Sequence, residues 1–387
     1  MELPETDRSL LGKILEVLEE NSYAGFDKAL ELIINRAMLL ERERHLNAGP
    51  YERTAERQGH ANGFKPKHLK TRVGELELEV PQTRDGFYPK SLEKGLRSER
   101  ALKLSLAEMY IQGVSTRKVA AITEQLCGFA VSSTQVSHAT KELDEMLEKW
   151  RNRPLGSYRF LWLDARYEKV RVDNCVVDCA VLIAKGITVE GHREILGVSV
   201  NLSEAEVHWR DFLTGLVERG LHGIELITSD DHSGLRAARK KVFPSVAWQR
   251  CQFHLQQNAQ AYVNKLEQRQ EVGESIRVIF NAPNVEEAQR LLGLSVKYYA
   301  DKNAKLAEWM ENNLPEGFTV FKLNASCQKK MRTTNPLERL NKEIKRRSRV
   351  VTIFPNVDSC LRLISAVLME TSDEWQSQNR YINLTED

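Results

Sequence analysis

Asp164 lies in the stretch FLWLDARYEKVR, where strict alternation puts Phe160, Trp162, Asp164, Arg166 and Glu168 on one face of a strand. A carboxylate between bulky apolar residues is costly unless it is paired or holds a cation. A salt bridge to Arg166 or Arg171 is the plainer explanation, and a ligand role the favoured one. Asp230 falls where ELITSDDHSGL leaves a strand, the edge at which open α/β sheets collect functional groups. Parity groups Leu226, Thr228 and Asp230 and leaves Asp231 at the turn, where a short acid is expected to cap the next helix. Glu338 follows Asn335 and Pro336, so a capping box with Asn335 as N-cap would account for it alone. Asn341, Lys342, Lys345 and Arg349 add a basic stripe to the same helical side, suited to phosphates. Two carboxylates from adjacent strands and one from a helix can hold two Mg²⁺ or Mn²⁺ ions about 3.5 to 4 Å apart, one serving the attacking oxygen and one the leaving oxygen. Such chemistry needs no covalent protein nucleophile.

The elements that must position these acids follow from periodicity. Tyr158 to Val172, Cys175 to Ile187 and Arg193 to Asn201 read as three strands joined by short turns, which favours antiparallel pairing. A helix from Glu206 to Arg219, a strand Ile224 to Ser229, a helix Gly234 to Val242 and a strand Val246 to Cys251 continue the pattern. This is the succession of a ribonuclease H-like core, a mixed sheet flanked by helices within an α/β fold. Residues 255 to 325 are charged and helical, an all-helical insertion before the helix of Glu338, and Asn356 caps a last amphipathic helix to Trp375.

Ahead of the core, residues 1–50 read as a helical segment for dimerisation or DNA binding and 51–96 as a small basic β-element, with Leu76, Leu78 and Val80 facing one way and Glu75, Glu77 and Glu79 the other. Residues 97–150 read as two helices about a turn at Gly128. Ser115 caps the first, which buries Val119, Ile122 and Leu126; Ser132 with Gln135 boxes the second, which buries Val136, Ala139, Leu143 and Met146. Ser133, Thr134, Ser137, His138 and Lys141 are then exposed as in a helix-turn-helix facing a major groove, with a plain helical hairpin the even alternative. The core is split into 151–254 and 326–387 by the insertion.

A net charge of +2 over 387 residues argues little for a polyanionic partner. Its distribution says more: residues 53 to 72 carry six Lys or Arg against one acid, including Lys65, Lys67, Lys70 and Arg72, and residues 329 to 349 carry nine against two, including Arg346. Six scattered cysteines, no signal-like N-terminus and no apolar run of membrane-spanning length make a cytoplasmic protein without a membrane role the expectation. Cys175 and Cys179 are expected as buried strand thiols, and no zinc is expected.

LDARYEKVR, TSDDHSGLRAA, AWQRCQFHLQQN and TTNPLERLNKEIKRR, in that order, with NGFKPKHLKTRVGELELEVPQTRDG and GVSTRKVAAITEQLCG before them, resemble the Mutator-related family of bacterial insertion-sequence transposases from about residue 40 to the end. The resemblance implies a DDE transposase whose acids fall on Asp164, Asp230 and Glu338, with a region that binds terminal inverted repeats and a copy-out route through a circle. Its partners would be double-stranded DNA, both ends and target, and a second copy of the chain in at least a homodimer, with no small-molecule substrate. The family's Cys and His pair falls on Cys251 and His254, taken as tying the insertion to the core or positioning DNA. Rival readings are a repressor whose core has lost catalysis and a metal-dependent nuclease of the same fold.

Overall fold

The computed structural model describes residues 5–92, 94, 98–141 and 143–384. The chain divides into two compact units, Met1–Glu142 and Leu143–Asp387. The expected boundary at 96/97 lies outside the described residues.

In the first unit, helices α1 (Glu5–Asn21) and α2 (Phe26–Leu46) precede a hairpin of β1 (Ala61–Thr71) and β2 (Gly74–Thr83). The alternation expected of β2 is present: Leu76, Leu78 and Val80 are buried under Met38 of α2, and Glu75, Glu77 and Glu79 are exposed. Glu31 and Asn35 of α2 accept hydrogen bonds from the Glu77 and Glu79 N–H groups at 3.1 and 2.9 Å, so the helix occupies donors that an open strand edge would present to other chains.

Three helices follow, α3 (Arg100–Ile111), α4 (Thr116–Cys127) and α5 (Ser133–Lys141), around Leu102, Leu106, Val119, Val131, Val136 and Ala139. The Ser115 hydroxyl caps α4, Gly128 turns the chain at φ 72°, and Ser132 and Gln135 form the expected reciprocal box at 2.9 and 3.2 Å. Four burial expectations fail here, Ile122 and Leu143 being only half-buried. Leu126 is 75% exposed and the buried residue of that face is Thr123; Met146 is exposed while Leu147 is buried, because the helix breaks after Lys141 and the periodicity restarts.

The second unit opens with α6 (Asp144–Arg151) and builds a sheet of β3 (Tyr158–Val172), β4 (Cys175–Thr188), β5 (Arg193–Asn201), β6 (Leu226–Ser229) and β7 (Ala247–Arg250), with α7 (Glu206–Glu218) and α8 (Ser233–Val242) in the connections. The order is β5-β4-β3-β6-β7; the first three strands are antiparallel and β6 and β7 join in parallel, a mixed α/β sheet. Leu161, Leu163 and Leu182 pack with Trp209, Leu213 and Leu235 of α7 and α8. Residues of opposite parity on β3 face the other side. Cys179 is buried as expected, but Cys175 is exposed because it sits at the hairpin end of β4.

After β7 come α9 (Gln252–Gln260), α10 (Leu266–Phe280), α11 (Val285–Ala300), α12 (Ala304–Asn313) and α13 (Ala325–Met331), the first four around their own core of Leu255, Ile276, Leu292, Leu306 and Met310. Then α14 (Asn335–Ser348) carries Glu338, and α15 (Val357–Ser377) is capped by Asn356 as expected. No helix among the described residues is long and apolar enough to cross a membrane.

Candidate active site

β3 and β6 run parallel with Trp162 opposite Thr228. Two residues further along each strand direction come Asp164 and Asp230, so register and parity together bring the two acids to neighbouring positions at one edge of the sheet. The same parity makes Trp162 and Thr228 anchors. The Trp162 indole N–H donates to the Thr333 carbonyl at 3.1 Å, and the Thr228 hydroxyl to the Met331 carbonyl at 2.8 Å. The Gln252 N–H donates to the Arg332 carbonyl at 3.0 Å, while the Thr334 N–H and hydroxyl both donate to the Cys251 sulfur at 3.3 Å. Four consecutive residues, 331 to 334, are thereby stapled to β3, β6 and the start of α9, and α14 begins at the next one. At its far end Phe354 pairs with Lys169 and Arg171 of β3. Both ends of the Glu338 helix are thus held by the strand that carries Asp164.

The Asp164 carboxylate accepts from the Asn341 side-chain amide at 2.7 Å and from the Ala165 N–H at 3.0 Å. Neither Arg166 nor Arg171 pairs with it: Arg166 pairs with Glu168 and donates to the Asn341 carbonyl. Burial pushes the Asp164 carboxyl up to about 6; Ala165 N–H, His254 and Asn341 oppose that, and Asp230 adds to it. His254, in the first turn of α9, has Nδ1 3.9 Å from Asp230 Oδ1. Burial works against its charge, but the Cys251 sulfur and the carboxylates of Asp230 and Asp164 prevail and raise the imidazolium to about 9. Cys251 is itself buried, which disfavours the thiolate, yet His254 and Thr334 bring it below the usual thiol range.

Asp231 is tied to Arg236 at 2.6 Å and Arg250 at 3.2 Å. It is engaged by ion pairs and not by the expected capping, since His232 is the N-cap of α8 and no side chain caps that helix. Asp230 Oδ1, in contrast, is buried with no hydrogen-bond partner. The expected box at Glu338 is absent as well. Thr334, not Asn335, is the N-cap of α14, no side chain caps it, and Glu338 Oε1 is buried without a partner. Unpartnered carboxylate oxygens suit a hard cation such as Mg²⁺ or Mn²⁺. The gathering is incomplete: among the described residues no three His, Cys, Asp or Glu side chains stand close enough to hold a metal ion. His254 stands 3.9 Å from Asp230 and its charge also acts on Asp164, whereas Glu338 sits one helical turn before Asn341, the residue that touches Asp164.

Of the expected DNA contacts, Lys342, Lys345, Arg346 and Arg349 are exposed on α14, with Arg346 paired to Glu343. Ser133, Thr134 and His138 share the exposed side of α5. The four cations of the hairpin do not form one stripe. Lys65 and Lys67 pair in register with Val80 and Leu78, on the face that packs toward α2, Lys70 pairs with Glu75 on the other face, and Arg72 is held by Glu99 at 3.1 Å. The residues missed from sequence are the staples: Trp162, Thr228, Thr334 and the Asn341 amide. Trp162 and Thr228 shared a parity with the acids, which was their only signal.

A family profile described as transposase, Mutator family, matches residues 6–378. The transposase for insertion sequence element IS406 of Burkholderia multivorans is 53% identical over 95% of this chain and 95% of its own length. That for ISRM5 of Rhizobium meliloti is 43% identical over 93% and 91%, and that for IS256 in transposon Tn4001 of Staphylococcus aureus 40% over 92% of each. With the profile spanning nearly the whole chain and relatives matched almost end to end, this protein belongs to the Mutator family of transposases.

Proposed function

We propose that the chain is a DDE transposase with a ribonuclease H-like core, which binds the terminal inverted repeats of an insertion sequence, cuts a strand there and joins the freed end to DNA. The observation that carries this reading is the convergence, in a chain of this family, of two strand-end acids with the helix of a third. Asp230 Oδ1 and Glu338 Oε1 both lack a hydrogen-bond partner there. Asp164, Asp230 and Glu338 would hold two Mg²⁺ or Mn²⁺ ions, which when bound would polarise the phosphate and ease deprotonation of the attacking oxygen.

The protein's own part is positional. Asn341 orients the Asp164 carboxylate, and Arg166 fixes Asn341 by its backbone. His254 offers positive charge to two acids that would otherwise repel each other. Glu338 joins the pair by movement of its side chain when DNA is bound, a shift permitted because no hydrogen bond retains its Oε1. Lys342, Lys345 and Arg349 then contact phosphates. The α4–α5 pair acts as a helix-turn-helix, with Ser133, Thr134 and His138 toward bases and the basic hairpin toward phosphates. Two ends must meet before joining, so the working form is at least a dimer, and the joined product is a circle of the copy-out type.

The test is strand cleavage and joining on DNA with and without the element's terminal repeats. Wild-type protein should give joined products only with repeats, and Asp164→Ala should bind the repeats but leave them uncut. Cutting without need of repeats and without joining would favour a nuclease; binding with no cutting by the wild type would favour a repressor. Replacing Ser133, Thr134 and His138 together should relax preference for repeat over random duplex.

A further inference from the structure

Glu338 also lines a cleft of about 820 Å³ in which cations outnumber acids. Arg193 of β5, Lys329 and Lys330 of α13, and Arg339 and Lys342 of α14 line it, and none of the five is ion-paired among the described residues. Elsewhere in this unit such groups are neutralised: Arg153 by Glu194, Arg236 by Asp231, and Arg347 by Glu343 and Glu370. Against these five cations the wall carries three acids, Glu338, Glu343 and Glu374, and Glu343 is already committed to Arg346 and Arg347. The cleft therefore carries a surplus of positive charge.

Two of these cations are held on aromatic supports. The Arg193 guanidinium lies 4.6 Å from the Trp375 ring and 5.1 Å from that of Tyr381, and its amino group donates to the Gln378 amide oxygen. Lys330 Nζ is 4.3 Å from the Tyr381 ring. Behind the rings Lys185 is fully buried, its Nζ without a hydrogen bond and 4.4 to 4.9 Å from Trp162, Trp375 and Tyr381. Aromatic faces stabilise a cation without cancelling its charge. Burial is the main cause that drives Lys185 well below the ordinary lysine range, and the positive charges of Arg193 and Lys330 add to it. Fixed guanidinium and ammonium groups recognise phosphates.

We propose that this cleft binds successive phosphates of the DNA strand leading to Glu338, with Arg193 and Lys330 as its phosphate-binding pair. The assignment of that strand rests on the transposase reading; the affinity for phosphates does not. The full chain is titrated with a fluorescent duplex of unrelated sequence over a range of salt. Each lost phosphate contact lowers the slope of log K against log salt by about 0.9, so Arg193→Gln with Lys330→Gln should lower it by nearly 2. Arg193→Lys with Lys330→Arg should restore it. A merely structural role would reduce thermal stability and leave the slope alone.

A folded double variant with the wild-type slope overturns the proposal. If that variant does not fold, the single changes Arg193→Gln and Lys330→Gln should each lower the slope by about 0.9, and an unchanged slope in both overturns it equally. Inorganic tripolyphosphate is the second arm. If it raises the melting temperature of the wild type and not of the variant, while the duplex slope is unchanged in both, the cleft serves free polyphosphate and the DNA assignment is wrong. Failure of the wild type to cut or join repeat-bearing DNA would sink the transposase reading by itself, without touching the salt slope.

Discussion

Two helices begin with the same kind of signature and end up differently. SSTQ before α5 and NPLE at the start of α14 both place a short polar residue three positions ahead of a Gln or Glu. At α5 the box closes, with Ser132 and Gln135 each satisfying the other's N–H. At α14 it does not, because the preceding residues answer to distant partners. Trp162, Thr228, Gln252 and Cys251 fix residues 331 to 334, which makes Thr334 the N-cap and engages its hydroxyl with sulfur. A capping motif states what local chemistry permits; where tertiary bonds decide the backbone, its carboxylate is released for other work.

The sharpest way to break this comparison is Glu338→Gln. A closed box tolerates Gln, as α5 shows, so a capping residue would survive the change. With no cap to lose and no hydrogen bond to its buried Oε1, the variant should melt within about 2 °C of the wild type. Strand joining should nevertheless fall by on the order of a thousandfold or more, because a neutral amide is a poor ligand for Mg²⁺. Near-normal joining would end the three-carboxylate mechanism.

The neighbouring acids of the β6 end repeat the contrast at a smaller scale. Asp230 Oδ1 accepts no hydrogen bond and has only His254 at 3.9 Å, whereas Asp231 is engaged with two arginines, one of them the buried Arg250. Asp231→Ala should cost about 1 to 3 kcal/mol in urea unfolding, with Glu316 and Asn313 still holding Arg250, and should keep substantial activity. Asp230→Ala should show the reverse, folding normally and joining nothing. An inactive Asp231 variant beside an active Asp230 variant would exchange their roles.

What was legible in the sequence was local. Tyr158–Val172 and Arg193–Asn201 have the bounds their alternation predicts, and Leu76, Leu78 and Val80 are buried as their period requires. The partner strand β1 was not legible, since Gly63, Pro66 and three lysines mask its alternation and its pairing with β2 makes it a strand. Met146 was misplaced because a period was carried through a helix break. The choice of Asp230 over Asp231 came from parity, which survives folding, whereas the cap of α14 depended on bonds spanning 83 to 171 residues, which leave no pattern in a window.

The closed box supplies the next measurement. Ser132→Ala should destabilise the first unit by about 1 kcal/mol, read as a small fall in its melting temperature, with the active site untouched. Asn335→Ala, the matching change at α14, should cost only its local propensity, because no side-chain cap is formed there. Equal losses at the two positions would mean that the two helix starts are alike after all.

The smallest expected effect separates two glutamates on one helix. Glu343 is bound by Arg346 at 2.7 Å and Arg347 at 2.8 Å; the Arg346 hydrogen bond foremost, with Arg347 adding to it against a cost of burial, brings its carboxyl down to about 2. Its folded value lies below the unfolded one, so its stabilisation is present above about pH 4.5 and is lost as the pH falls toward 2. The group is partly solvated and Arg346 is exposed, so screening leaves a fraction of about 1 kcal/mol. Glu343→Gln should therefore melt slightly below the wild type at pH 7, with the gap closing as both are acidified through that window and shrinking in high salt. Glu338→Gln, which removes no ion pair, should show no comparable gap that closes in high salt. A pH-independent deficit for Glu343→Gln would assign its role to packing, and a closing gap for Glu338→Gln would reveal a cationic partner that competes with the proposed metal.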